Sequence, residues 1–242
     1  MHGAQLEAGK SSDVSIQQNF DSSWRGLPYK PRAVTKDEIQ KLREAHIWRD
    51  APTLKNVEMI FITSDTMDLY NKYAVWAWTV DDSICLIEDG EVPYLEISPD
   101  KREEINRQRA EDNKAPVITL EDVLEKEYLI EDGVGIRATF MIVDQGGHKA
   151  DEIKHFAKMH RNVVMQKGTS MTSVNWKPSE NQERLILTNE RFWKSTAIYY
   201  LYSQKNRQEN YLWFNPSITE ESLAELRDVM PDNTSKWGDD PR

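Results

Sequence analysis

Ala138-Thr139-Phe140-Met141-Ile142-Val143-Asp144-Gln145-Gly146-Gly147-His148 is an apolar run that ends in an acid and breaks into a glycine pair. A short apolar run bounded by turn residues predicts a strand buried on both faces. The glycine pair lets the backbone turn sharply and approach a ligand closely, ahead of a helix expected over residues 150–160. An earlier stretch has the same form: Val57-Glu58-Met59-Ile60-Phe61-Ile62-Thr63 runs into Ser64-Asp65-Thr66-Met67-Asp68. Between them, residues 72–80 and 83–88 are rich in aromatic and β-branched side chains and predict a hairpin, with Asp81-Asp82 as its turn and Asp89-Gly90 as the next turn. Strands alternating with helices after such a hairpin predict an α/β fold with a mixed sheet.

Working outward, residues 98–117 are charged and aperiodic, a loop or surface helix. Thr119 with Asp122 is a capping pattern that opens a helix over residues 119–128. Further strands are expected at 163–166, 184–188 and 211–214, and helices at 191–202 and 219–229. Thr35 and Glu38 form a capping box for a helix reaching about His46. Residues 1–23 are rich in Ser, Gln, Gly and Asp and predict a loose tail or linker, continued by the extended Trp24-Arg25-Gly26-Leu27-Pro28-Tyr29-Lys30-Pro31.

The 242 residues carry 31 Lys+Arg and 41 Asp+Glu, a net charge of −10. A hydrophobic content of 38% with eight Trp and nine Tyr suffices for a core and excludes full-length disorder. The lone Cys85 excludes a disulfide framework and a thiolate zinc site, and leans towards a cytosolic compartment. No apolar run approaches the roughly 18 residues that span a bilayer. Net acidity would argue against a nucleic-acid partner, yet the charge is segregated. Residues 81–132 hold 17 acidic and 6 basic side chains, whereas residues 145–210 hold 11 basic and 6 acidic. The basic stretch suits a phosphate backbone.

The two most apolar strands each end in an aspartate, Asp65 and Asp144. Strand ends share a sheet edge, so residues distant in sequence meet there. Converging carboxylates are hard oxygen ligands that suit Mg²⁺ or Mn²⁺, and two such ions serve phosphodiester hydrolysis. His148 is a candidate to orient a carboxylate or contact a phosphate. His155 and His160, five apart on one expected helix, turn off a common face and make a poor metal pair. No GxxxxGK[ST] loop is present, so no nucleotide is expected. The Ser–His and Cys–His pairings lack motif context, which leaves nucleophilic hydrolysis unsupported.

The ordered set Ile142-Val143-Asp144-Gln145-Gly146-Gly147-His148, Glu152, Phe156 and Val163-Val164-Met165-Gln166-Lys167-Gly168 resembles the nuclease domain of the GpA-type phage terminase large subunit. Phe20 and Trp24-Arg25-Gly26-Leu27-Pro28-Tyr29 are similar to the linker between that family's motor and nuclease. Phe61-Ile62-Thr63-Ser64-Asp65-Thr66-Met67-Asp68 with Trp76-Ala77-Trp78 is similar to its first strand and hairpin. The resemblance implies an RNase H-like mixed β-sheet flanked by helices over residues 35–230. Residues 1–34 would be tail and linker from a missing ATPase motor, and residues 231–242 a C-terminal tail.

It also implies a divalent-metal-dependent endonuclease that cuts concatemeric viral DNA during genome packaging, with two Mg²⁺ or Mn²⁺ ions. Asp65 and Asp144 carry over as metal ligands, and Asp68 is a weaker candidate. The family's last acid lies near the C-terminus, where Asp239 and Asp240 are available, and Asp240 is the expected third ligand. From the basic stretch, Lys149, Lys154, Lys167 and Arg191 are the expected DNA contacts. Implied partners are double-stranded DNA, the ATPase motor domain, the small terminase subunit and the portal protein, in the bacterial host cytoplasm at the procapsid and without a membrane. Two other readings share parts of the pattern: an interaction domain docking on the motor or portal through its acidic stretch, and a host RNase H-like resolvase or transposase fragment.

Overall fold

The computed structural model describes residues 40, 43, 44, 56–130, 133–146, 149–170, 174–190, 192, 193, 196, 197, 212–215, 217–220 and 222–224. The chain divides into two compact units, one of Ile47–Trp193 with Asn206–Pro216, the other of Met1–His46, Lys194–Lys205 and Ser217–Arg242. In the second unit, Arg43 donates to the Ile218 carbonyl at 3.2 Å, and the Thr219 hydroxyl accepts from the Ser222 N–H at 3.0 Å. That second bond is an N-cap at Thr219, where the last expected helix starts. The expected linker over residues 1–34, most of the helix starting at Thr35, and most of the helix over 191–202 lie outside the described residues.

The first unit is built on one mixed sheet. Strands β1 (Val57–Thr66), β2 (Asn71–Thr79) and β3 (Ile84–Val92) form an antiparallel meander. Strands β4 (Glu127–Leu129) and β5 (Gly135–Arg137) pair separately. Strand β6 (Phe140–Asp144) then lies parallel to β1 on the side away from β2. It is followed outward by β7 (Val163–Thr169) and β9 (Leu185–Asn189), both parallel, with the short β8 (Trp176–Pro178) antiparallel at the edge. Strand β10 (Leu212–Phe214) closes the other edge beside β3. The order β10-β3-β2-β1-β6-β7-β9-β8 places the two apolar strands side by side at the centre. A meander continued on its β1 side by the parallel strands β6, β7 and β9, with helices packed on the sheet, is the mixed-sheet α/β class expected from the sequence.

The pleat decides which residues face the core. Along β1, Ile60, Ile62 and Ser64 are buried while Phe61, Thr63 and Asp65 take the opposite face. Helix α1 (Pro99–Glu111) buries no residue, α2 is Leu120–Glu125, and α3 is Ala150–Met159. Ile153, Phe156 and Ala157 on α3 join Ile60, Ile62, Met141, Val143 and Val163 in one apolar cluster that also takes in Leu120, Val123 and Leu124 of α2. Because α1 has no apolar stripe, polar contacts hold it. Arg102 grips both oxygens of Asp122 at 2.8 and 2.9 Å, and Asn106 accepts from the Val117 N–H at 2.7 Å. Burial of Cys85 pushes its thiol up to about 12, so it supplies no thiolate at neutral pH.

Three local expectations are corrected. Asp89-Gly90 is not a turn: β3 runs through it, pairing Gly90 with Tyr73. The glycine is required by a close approach, since a Cβ there would lie 2.9 Å from the Tyr73 hydroxyl oxygen. The helix at 119–128 forms its capping box but stops at Glu125, because Tyr128 is recruited into β4 and buried. The helix expected through His160 ends at Met159, and His160 is extended (φ −110°, ψ 112°). No described helix is long and apolar enough to cross a membrane.

Candidate active site at the carboxyl edge of the sheet

Strands β1 and β6 run parallel with Ser64 opposite Val143, so one further step sets Asp65 beside Asp144 at the spacing of neighbouring strands, about 4.8 Å. Their shared face is fixed lower down. The Phe61 and Phe140 rings stack with centroids 5.6 Å apart, and Trp76 of β2 donates its indole N–H to the Thr63 hydroxyl at 2.9 Å. Four residues beyond Phe61 and Phe140, the same face presents Asp65 and Asp144.

Behind Asp144 the chain turns at once, and the Gly146 N–H donates to Asp144 Oδ2 at 3.0 Å. A Cβ on Gly146 would overlap that same oxygen, so the absence of a side chain allows the turn to hold the carboxylate. Strand β7 supplies the next two groups. Gln166, level with Asp144, donates to the Thr188 hydroxyl at 2.6 Å and ties β7 to β9. Lys167 follows, close enough for its charge to act on Asp144.

A third carboxylate arrives from a strand that was not expected to contribute one. Glu190 immediately follows β9, and a Cβ built on Gly168 of β7 would sit 3.5 Å from Glu190 Oε2. The bare Gly168 therefore leaves the Glu190 side chain room over β7, and its charge reaches Asp144. Asp144 is half-buried. That burial, with the charges of Asp65 and Glu190, raises its carboxyl above the ordinary 3.8, against the opposing Gly146 N–H and Lys167. The signal in the sequence was the one already used for Asp65 and Asp144: Leu185-Ile186-Leu187-Thr188-Asn189-Glu190 is also an apolar strand running into an acid.

The other expected site residues fall in different places. Lys149 occupies the N-cap position of α3 and lines an open cleft with Asp68, Tyr94, Lys101 and His155. Lys154 lies on the exposed face of α3 and pairs with Asp151 at 3.0 Å. His148, Arg191, Asp239 and Asp240 lie outside the described residues.

A raised carboxyl in the folded state is a stability statement. The folded chain holds its proton more tightly than the unfolded chain, so the Asp144 contribution is fully present below pH 3.8 and is lost as pH rises through the folded value. Above that window the metal-free chain carries a half-buried charge beside two like charges. The Asp144→Asn variant, which keeps an acceptor for the Gly146 N–H, is expected to melt at a higher temperature than the parent at neutral pH and at the same temperature below the window. Thermal melts across pH in a chelating buffer check this.

The sequence matches the family model described as the terminase large subunit gpA endonuclease domain over residues 2–208. Among solved structures, it is similar to a mutant nuclease domain of the large terminase subunit gp2 of bacterial virus Sf6 determined with manganese. The two share 15% identity with a TM-score of 0.37, over 72% of this chain and 71% of that one. No curated protein matches the chain in sequence.

Proposed function

Because the chain belongs to the family of the terminase large subunit gpA endonuclease domain, we propose that it is a divalent-metal-dependent DNA endonuclease that cuts concatemeric viral DNA during genome packaging. The observation that carries the proposal is that Asp65 and Asp144 end adjacent parallel strands, with the Asp144 carboxyl raised by burial and by the charges of Asp65 and Glu190. Carboxylates whose charges act on one another gain from a cation between them, and hard oxygen donors of this kind fit Mg²⁺ or Mn²⁺. On this reading Glu190 takes the third-ligand role that Asp240 was expected to fill.

A divalent cation held there supplies Lewis-acid polarisation of the phosphodiester and a nucleophilic water at neutral pH. The chain's own residues do the positioning. The Gly146 N–H holds one Asp144 oxygen in place. Lys167 brings a positive charge to the same place, suited to a non-bridging phosphate oxygen. Lys149, at the start of α3, is a further cation for a phosphate of the duplex, a contact without base readout. The ATPase motor, the small terminase subunit and the portal protein are the proposed partners, in the host cytoplasm at the procapsid.

The test is conversion of supercoiled plasmid to nicked and linear forms. Cutting is expected with Mn²⁺ or Mg²⁺ and none in EDTA. Equal cutting in EDTA would overturn the metal assignment, and no cutting by a folded chain in either metal would overturn the activity.

A further inference from the structure

A second group of ligand-type side chains lies well away from the strand ends. Helix α3 follows β6 in the chain, and its ten residues carry the chain roughly 15 Å to His160 at the other end. There the His160 Nε2 atom faces two carboxylates, 3.6 Å from Glu96 Oε2 and 3.7 Å from Glu121 Oε1. One donor atom from each of the three residues can be chosen so that all lie within 4.8 Å of one another.

The spacing is informative. At 3.6–3.7 Å these contacts are too long to be hydrogen bonds. The Nε2 atom is also buried with no hydrogen-bond partner. A buried imidazole nitrogen left unsatisfied is costly unless something else engages it. In a tetrahedral site with metal–ligand distances near 2.0–2.2 Å, neighbouring ligand atoms are roughly 3.4 Å apart. The two separations from His160 exceed that by only a few tenths of an ångström, too wide for protons and close to right for an ion, and the third lies within 4.8 Å.

The three residues are also held in place before any ion arrives. His160 donates its N–H to the Phe156 carbonyl, its own carbonyl accepts from Arg184 at 2.9 Å, and its ring packs on Phe156 with centroids 4.5 Å apart. Glu96 and Glu121 are brought together by two parallel segments, where the Leu120 and Glu121 N–H groups donate to the Tyr94 and Leu95 carbonyls, each at 2.9 Å. The exposed His155 lies 3.6 Å from the other Glu96 oxygen, and both residues line the open cleft that gives an ion access.

We propose that Glu96, Glu121 and His160 form a second divalent-metal site, of the zinc class, with His155 or water in the fourth position. One imidazole with two carboxylates favours zinc over Mg²⁺, which prefers an all-oxygen octahedron. The site ties the segment after β3 and the start of α2 to the end of α3. The helical spacing of His155 and His160 argued against a shared ligand role, but that argument fails because His160 has left the helix.

The test is zinc retention by the full chain after gel filtration against a weak chelator, together with the zinc-dependent shift in melting temperature. The expected result is one zinc per chain and a raised melting temperature. Both should be lost in Glu121→Gln and in His160→Gln, and both kept in Asp65→Asn. No retained zinc in a chain folded by circular dichroism would overturn the site. So would zinc retained by both Glu121→Gln and His160→Gln, or zinc lost in Asp65→Asn alone. If His160→Gln does not fold, the isosteric Glu121→Gln decides. Plasmid cutting does not enter the readout, so failure here leaves the nuclease proposal standing.

Discussion

Asp144→Asn and Asp65→Asn are each expected to abolish metal-dependent plasmid cutting, a loss on the order of 10²–10⁴ in rate for the several kcal/mol that a correctly held cation supplies. The reason is geometric. Asp65 and Asp144 end adjacent parallel strands and share one face, so removing either charge halves the pair that the sheet brings together. Asn preserves the shape and, at residue 144, the acceptor for the Gly146 N–H. A folded variant that does not cut therefore reports lost charge rather than lost structure. Glu190→Gln is expected to fall in the same range, whereas Asp240→Asn is the control for a ligand from the C-terminal tail. Cutting abolished by Asp240→Asn but unaffected by Glu190→Gln would move the third ligand to that tail. Cutting retained in Asp144→Asn would remove the strand-end site altogether.

The second large effect concerns stability. Phe156 is fully buried between α3 and the sheet, in the cluster with Ile60, Met141 and Val163. Phe156→Ala removes that packing and leaves a cavity, for an expected destabilisation of about 3–5 kcal/mol. Against a typical total of roughly 5–15 kcal/mol this is a large share. Urea unfolding should show a lower midpoint with an unchanged slope. The consequence extends to both proposed sites, because α3 follows β6, which ends in Asp144, and His160 caps its far end. A shift below about 1 kcal/mol would mean that the helix is not seated on the sheet as described.

The Asp65 and Asp144 strands, the hairpin between them and the capping box at Thr119 were legible because each depends on residues close in sequence. Apolar runs, alternation and cap spacing are local signals, and they sufficed to give the class of sheet and two of its carboxylates. Local signals misled where tertiary contacts reversed them. Asp89-Gly90 has turn chemistry, but it lies within a strand where the Tyr73 ring leaves no room for a side chain. His160 was placed by helical periodicity on a helix that ends one residue earlier.

What the sequence determined by itself was therefore that acids such as Asp65 and Asp144 end apolar strands, since that follows from hydrophobic patterning alone. Which of them meet was decided by the tertiary structure. Glu190 reaches Asp144 only because β9 lies parallel beside β7 and Gly168 leaves space for it. Glu96, Glu121 and His160, from three separate segments, meet only because the Tyr94–Thr119 bridge and the end of α3 are packed onto one core. Strand order and helix ends are fixed by long-range burial, a sum over many contacts that no single window of sequence contains.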